Sequence, residues 1–200
     1  MKLGLWKVLT VATAILLICG LANGQGKRTY LTVESVGISI VLPVGLQPFS
    51  EEQMALVREK GESAKFIYSD PQSDVIVVIN TFGSGANEKG LPEVAEQIKT
   101  ATEKQNANTE WLSRDYITMN GMKWLRLSFK EGVGADQLID TYFVTDWAGE
   151  YVEFIFTSTV AKYENYKSAF ERSAQSIQLE LITKSMETNK GSVKRPRKKP

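Results

Sequence analysis

The sequence predicts an α+β domain built on an antiparallel β-sheet, and three observations carry that prediction. Residues 111–158 hold four β-branched and aromatic runs joined by tight-turn residues, the pattern of an antiparallel meander. Other stretches place apolar residues at helical spacing behind recognisable helix-start signals. Residues 28–182 contain no internal repeat and no Pro/Gly-rich linker, so one domain is the natural count.

The elements follow in order. Tyr30–Glu34 and Ile38–Leu42 read as a strand pair broken by Gly37. Ser50-Glu51-Glu52-Gln53 is a capping box: the Ser50 hydroxyl accepts from the Gln53 backbone N–H, and the Gln53 side chain reaches back. The short helix it opens runs to Lys60 and stops at Gly61. Lys65–Ser69 and Val75–Phe82 form a second strand pair, turned at Pro71. Leu91-Pro92 opens a helix through Gln105, with proline in the tolerated first turn and Val94, Ile98 and Ala101 on one stripe. The meander strands are Trp111–Met119, Met122–Lys130, Gln137–Trp147 and Tyr151–Ser158. A last helix, Ala161–Ile177, carries Tyr163, Tyr166, Phe170, Ala174 and Ile177 by threes and fours, so that stripe faces a core.

Two turns set registers. In Asn120-Gly121 both turn residues tolerate positive φ, and the hairpin pairs Met119 with Met122, Ile117 with Trp124 and Asp115 with Arg126. Ala148-Gly149 pairs Phe143 with Phe154 and Thr145 with Val152. One expected face collects Leu125, Leu127, Phe129, Ile139, Phe143, Val152, Phe154 and Phe156 as the core. The other collects Asp115, Trp124, Arg126, Asp140, Tyr142, Asp146, Tyr151 and Glu153, too aromatic for plain solvent and too charged for a core.

The chain ends differ from this body. Lys2 and Lys7 precede an apolar run from Val8 to Leu21, and Ala22-Asn23-Gly24 offers small residues for cleavage before Gln25; residues 1–24 read as a secretory signal. The run of 14 residues falls short of the roughly 20 that span a bilayer. Leu16-Leu17-Ile18-Cys19-Gly20 resembles a bacterial lipobox with a bulky Ile18 before the cysteine. Cys19 is therefore either one more apolar residue of the signal or a lipid-attachment point. The formal net charge of +1 is unevenly spread: with two lysines in the leader and a net +6 in residues 184–200, residues 25–183 carry −7. The tail 183–200, with Lys194, Arg195, Arg197, Lys198 and Lys199, is either a solvated disordered end or an electrostatic tether to anionic lipid, cell-surface polymer or an acidic partner. An acidic body disfavours nucleic acid, whose phosphates need Lys and Arg.

Chemistry is bounded by what is missing. The chain has no histidine, and its single cysteine is Cys19, so the usual metal ligands, neutral-pH bases and thiol nucleophiles are absent from residues 25–182. No cofactor and no metal are expected. The loop Phe82-Gly83-Ser84-Gly85-Ala86-Asn87 lacks the Lys-Ser/Thr of a phosphate-binding loop, and Ser84 has no histidine to activate it. The segment Glu131-Gly132-Val133-Gly134-Ala135-Asp136 reads as a plain connection.

The candidate site is the mixed face. Trp124, Tyr142 and Tyr151 would act as aromatic anchors, and Arg126, flanked by Asp115, Asp140 and Glu153, as the polar determinant of a binding platform. The same residues also read, and more simply, as a cross-strand salt-bridge ladder partly covered by a helix. A third option makes Asp140 and Glu153 the carboxylates of a hydrolase.

Three segments resemble the PsbP-like fold family. They are Gly37-Ile38-Ser39-Ile40-Val41-Leu42-Pro43-Val44-Gly45-Leu46, the Asn120-Gly121 hairpin, and Trp147-Ala148-Gly149-Glu150-Tyr151-Val152-Glu153-Phe154-Ile155-Phe156 followed by Tyr166–Ile177 with its Ser173-Ala174-Gln175-Ser176-Ile177 close. That family includes the extrinsic photosystem II subunit P, a Ran-binding nuclear import factor and exported DcrB-like bacterial proteins. The resemblance implies an antiparallel sheet with helices on both faces, an α/β/α sandwich, and an accessory or adaptor role rather than catalysis. Fold analogy alone carries little functional weight. The expectation is an exported, non-catalytic accessory protein with an unidentified protein partner and no nucleic acid. The alternatives are a small-ligand or lipid carrier and, behind it, the carboxylate hydrolase.

Overall fold

The computed structural model of the chain describes residues 28–33, 36–59, 64–83, 90–134 and 137–182. The leader with Cys19 and Gln25, the helix stop at Gly61, residues 84–89 of the Gly-rich loop, Ala135-Asp136 and the tail with Lys194, Arg195, Arg197, Lys198 and Lys199 lie outside the described residues.

The order is β1 (Arg28–Val33), β2 (Val36–Val41), β3 (Gln47–Pro48), α1 (Glu51–Glu59), β4 (Phe66–Ser69), β5 (Val75–Phe82) and α2 (Gly90–Gln105). It continues with β6 (Glu110–Met119), β7 (Met122–Glu131), β8 (Leu138–Trp147), β9 (Glu150–Thr159), α3 (Val160–Gln175) and β10 (Gln178–Leu181). The meander β6–β9 forms as its turns require, with Asp115 opposite Arg126 and Phe143 opposite Phe154. Asn120 and Gly121 sit at φ 51° and 76°, the left-handed pair that a two-residue hairpin turn demands. Strand β5 joins β9 antiparallel, and β4 and β3 complete a seven-stranded sheet in the order β3-β4-β5-β9-β8-β7-β6. The capping box closes as read: Gln53 N–H donates to Ser50 Oγ at 3.2 Å, and Ser50 N–H donates to Gln53 Oε1 at 2.8 Å.

The second sheet departs from expectation. Gly37 does not break a strand; it lies inside β2, opposite Thr32. β2 is the centre of a three-stranded sheet, β1-β2-β10, and β10 begins just where the last helix was expected to end. A Cβ on Gly37 would stand 3.4 Å from Ile182 Cγ1 and 3.5 Å from the Glu180 Cβ, ordinary contact distances, so the strand would accept a side chain there.

Two cores result. On one side of the large sheet α3 and the small sheet bury Ile38, Ile40, Val77, Trp124, Phe143, Phe154, Phe156, Phe170 and Ile177. On the other, α1 and α2 bury Met54, Val57, Leu91, Val94, Ile98, Leu125, Leu127, Phe129, Tyr142 and Ile155. The fold is thus an α+β sandwich with helices on both faces. Each large apolar side chain sealed in this way contributes roughly 1.5–3 kcal/mol.

This double covering corrects the expected face assignment. Between the two hairpins Leu125 pairs with Val144 and Arg126 with Phe143. Leu125, Leu127 and Phe129 therefore face α2, whereas Phe143, Val152, Phe154 and Phe156 face α3. All of them are buried, but in two cores rather than one.

Candidate functional site

The seven residues of the expected platform do not share a face. Asp115, Trp124 and Arg126 lie on the α3 side; Asp140, Tyr142, Tyr151 and Glu153 lie on the α2 side. Trp124 is fully buried, tilted against Phe154 at 6.0 Å between ring centroids, and its indole N–H donates to the Met119 carbonyl at 3.3 Å. It is a core residue, not an exposed anchor. Tyr142 and Tyr151 are likewise buried.

Of the platform residues on the α3 side, Asp115 and Arg126 stay partly accessible and form an ion pair. Arg126 Nε donates to Asp115 Oδ1 at 2.8 Å and Nη2 to Oδ2 at 2.5 Å, a two-point fork between adjacent strands. The guanidinium's hydrogen bond holds the Asp115 carboxyl below its ordinary range against a smaller opposing effect of burial. Arg126 is held up in turn by Asp115, with Glu171 and Tyr163 of α3 adding to the field.

Beneath α2 lies a polar cluster set in the apolar core. Thr157 Oγ1 donates to Asp140 Oδ1 at 2.5 Å, and Asp140 also bonds the Glu131 carboxyl. Burial raises Asp140, with both bonds opposing. Glu153, on the neighbouring strand, is pushed up to about 7 by burial, with the Asn80 amide pulling the other way. Tyr142 is raised well above an ordinary phenol by burial and by the charges of Asp140, Glu153 and Glu131. Asp140 and Glu153 have separate partners and sit on opposite sides of the Tyr142–Ile155 pair, which is not the arrangement of two carboxylates flanking one scissile bond. Among the described residues no group of three or more Asp, Glu, His or Cys is placed to hold a metal ion.

The rim of the sheet contributes residues that sequence reading did not single out. β6 ends the large sheet, and Leu112 and Tyr116 on it are 47% and 42% exposed. Lys123 Nζ stands 4.3 Å from the centroid of the Tyr116 ring. Leu112 occupies a bulge, where the pairing with β7 shifts between Trp111 and Ser113. Arg114 pairs with Glu96, and the Trp111 indole N–H donates to Glu103 Oε1 at 3.1 Å, so α2 is tied to this strand at its rim. The available signal for Tyr116 and Leu112 was alternation: they are the large apolar residues out of step with Ile117 and Met119.

No family model matches the sequence, and no curated protein matches it. Solved structures do. Cyanobacterial PsbP (CyanoP) from Synechocystis superimposes with a TM-score of 0.56 at 13% identity, covering 82% of this chain and 99% of that one. The fold is PsbP-like. The Ran-binding protein Mog1p of Saccharomyces cerevisiae shares this PsbP-like architecture with a TM-score of 0.51 at 11% identity, over 80% of this chain and 98% of its own. At these identities the likeness concerns the fold, so the PsbP-like sandwich locates the sheet edge and the two covered faces without assigning either a role.

Proposed function

We propose that the chain is an exported, non-catalytic accessory protein that binds a protein partner through the β6–β7 rim. One observation carries the reading: β6 is a ten-residue strand with no neighbour on its outer side among the described residues, and it shows Leu112 and Tyr116 to solvent. An extended segment of a partner adds to such an edge through backbone hydrogen bonds, with alternate side chains giving selectivity. The bulge at Leu112 confines regular pairing to residues 113–119. Tyr116 with Lys123 on one face and the Asp115–Arg126 fork on the other supply the specific contacts. Of the platform residues, Asp115 and Arg126 keep a binding role, and Trp124, Tyr142, Tyr151, Asp140 and Glu153 support the sheet beneath them. That Mog1p is named a Ran-binding protein supports a protein partner as the class. The carrier reading rests on no observation beyond the fold; Leu127, Phe129, Tyr142, Val144 and Ile155 belong to one buried cluster with α2.

The same proposal assigns residues 1–24 to export, 25–182 to the PsbP-like domain and the basic tail 183–200 to an anionic surface or polymer. The test is affinity purification of the tagged protein from its native host after mild cross-linking. Wild type is compared with Tyr116→Ala/Arg126→Ala and with a truncation after Ile182. A stoichiometric protein lost only in the double variant supports the rim. Loss only in the truncation moves the interaction to the tail, and no partner in any sample overturns the reading.

A further inference from the structure

Helix α2 is a cover laid over ionisable groups. Its buried stripe is Leu91, Val94, Ala95, Ile98 and Thr102, none of which ionises. It passes from Tyr151, whose phenol feels Glu93, to Trp111, whose indole binds Glu103. On this face the sheet presents Glu153, Asp140 and Glu131, which are 5%, 7% and 5% exposed. From β5, Glu153 meets Asn80, whose Oδ1 has no hydrogen-bond partner. From β8 it meets Val144 directly, with Tyr142 and Asp140 beyond. From α1 and β4 the same core receives Met54, Val57 and Ile67, again without charge. Among the charged residues of α2, Glu96 pairs with Arg114 and Lys99 with Glu103, while Glu93 acts on Tyr151.

A protonated Glu153 fits this setting. Its O–H can donate to the unpartnered Asn80 Oδ1 while its carbonyl oxygen accepts from the Asn80 amide, which satisfies both groups. Ionised, it is a buried charge with no cation against it among the described residues, and such a charge is relieved by admitting water. Both α1 and α2 cover this side of the sheet, and α2 is the layer nearest Glu153, since its Glu93 acts on Tyr151, two residues from Glu153 on the same face.

We propose that α2 is a pH-gated cover, seated while Glu153 is protonated and loosened when Glu153 ionises, which exposes Tyr142 and Tyr151 together with Glu153 between them. The direction follows from linkage. The seated form keeps the Glu153 proton up to about pH 7, whereas a water-exposed glutamate loses it near its ordinary 4.5. Opening therefore becomes easier by up to about tenfold per pH unit across that window and levels off above it.

The experiment is amide hydrogen exchange of the full chain from pH 5 to pH 8, corrected for intrinsic rates, with α3 as the internal reference. Between pH 5 and 7 the α2 opening constant is expected to rise by tens-fold, α3 changing by no more than about threefold. In Glu153→Gln the rise in α2 is expected to fall at least tenfold. Glu153→Met, which removes the ionisable group without asking for a polar partner, is expected to behave the same way and covers a failure of the first variant to fold. Equal rises in α2 and α3 would overturn the cover, as would an α2 indifferent to pH. A rise that persists undiminished in both variants would overturn Glu153 as the gate.

Discussion

Asn120 Nδ2 donates to the Ile177 carbonyl at 2.5 Å and to the Gln175 carbonyl at 3.2 Å. A residue in the β6–β7 turn thus closes the end of α3, more than fifty positions further along the chain, at the point where it passes into β10. Helix C-termini leave carbonyls without partners, and a side-chain amide is a suitable donor to them. The same residue holds φ at 51°, so it serves the turn through its backbone and the layer packing through its side chain.

Asn120→Gly keeps the left-handed backbone and loses both hydrogen bonds. It is expected to cost about 1 kcal/mol, a fall of about 2–4 °C in Tm by calorimetry. Asn120→Asp tolerates the turn but offers acceptors to acceptors, so its Tm at pH 7 should lie below that of the glycine variant. The reverse order would show that the amide is not a donor to α3.

Trp124→Ala is expected to lose about 3–5 kcal/mol in urea denaturation, since a fully buried indole is removed from the α3-side core. Arg126→Ala should lose about 1 kcal/mol or less, because its ion pair is partly solvated. A loss under about 1.5 kcal/mol at Trp124 would contradict its place in the core.

The Asp115–Arg126 pair predicts a pH dependence of the opposite sign to that of Glu153. Asp115 is depressed in the fold, so its contribution is present above the ordinary 3.8 and disappears as pH falls through the folded value. With side chains 43% and 38% exposed, the contribution at pH 7 is under about 1 kcal/mol. The urea midpoints of wild type and Asp115→Asn should therefore differ at pH 7 and converge toward pH 2. A gap independent of pH would mean that geometry, not charge, sets the difference.

Ala148 turns the β8–β9 hairpin at φ 58°, a conformation that an L-residue with a Cβ adopts at a cost. Ala148→Asn supplies a residue that tolerates it, ahead of Gly149 at φ 85°. The variant is expected to gain about 0.5–1 kcal/mol, read as a higher Tm. No change would mean that the turn relaxes to another form.

Local chemistry determined the parts of this protein that need only a few neighbouring residues. The Asn120-Gly121 turn set Asp115 opposite Arg126; Ser50 and Gln53 closed the first turn of α1; the spacing of Phe170 and Ala174 marked the buried side of α3. Tertiary structure decided what depends on distant partners. β10 is four residues long and is held by β2, more than 130 positions away, so no local pattern announces it. The register between β7 and β8 is set by their pairing along the sheet, with no two-residue turn signal in the sequence to announce it, and a slip of one residue exchanges the faces. Burial of both faces removed the apolar–polar alternation that would have resolved the choice. The candidate residues were therefore legible as polar and aromatic members of the sheet. Only the packing of α2 and α3 divided them between a sealed carboxyl cluster and an exposed rim.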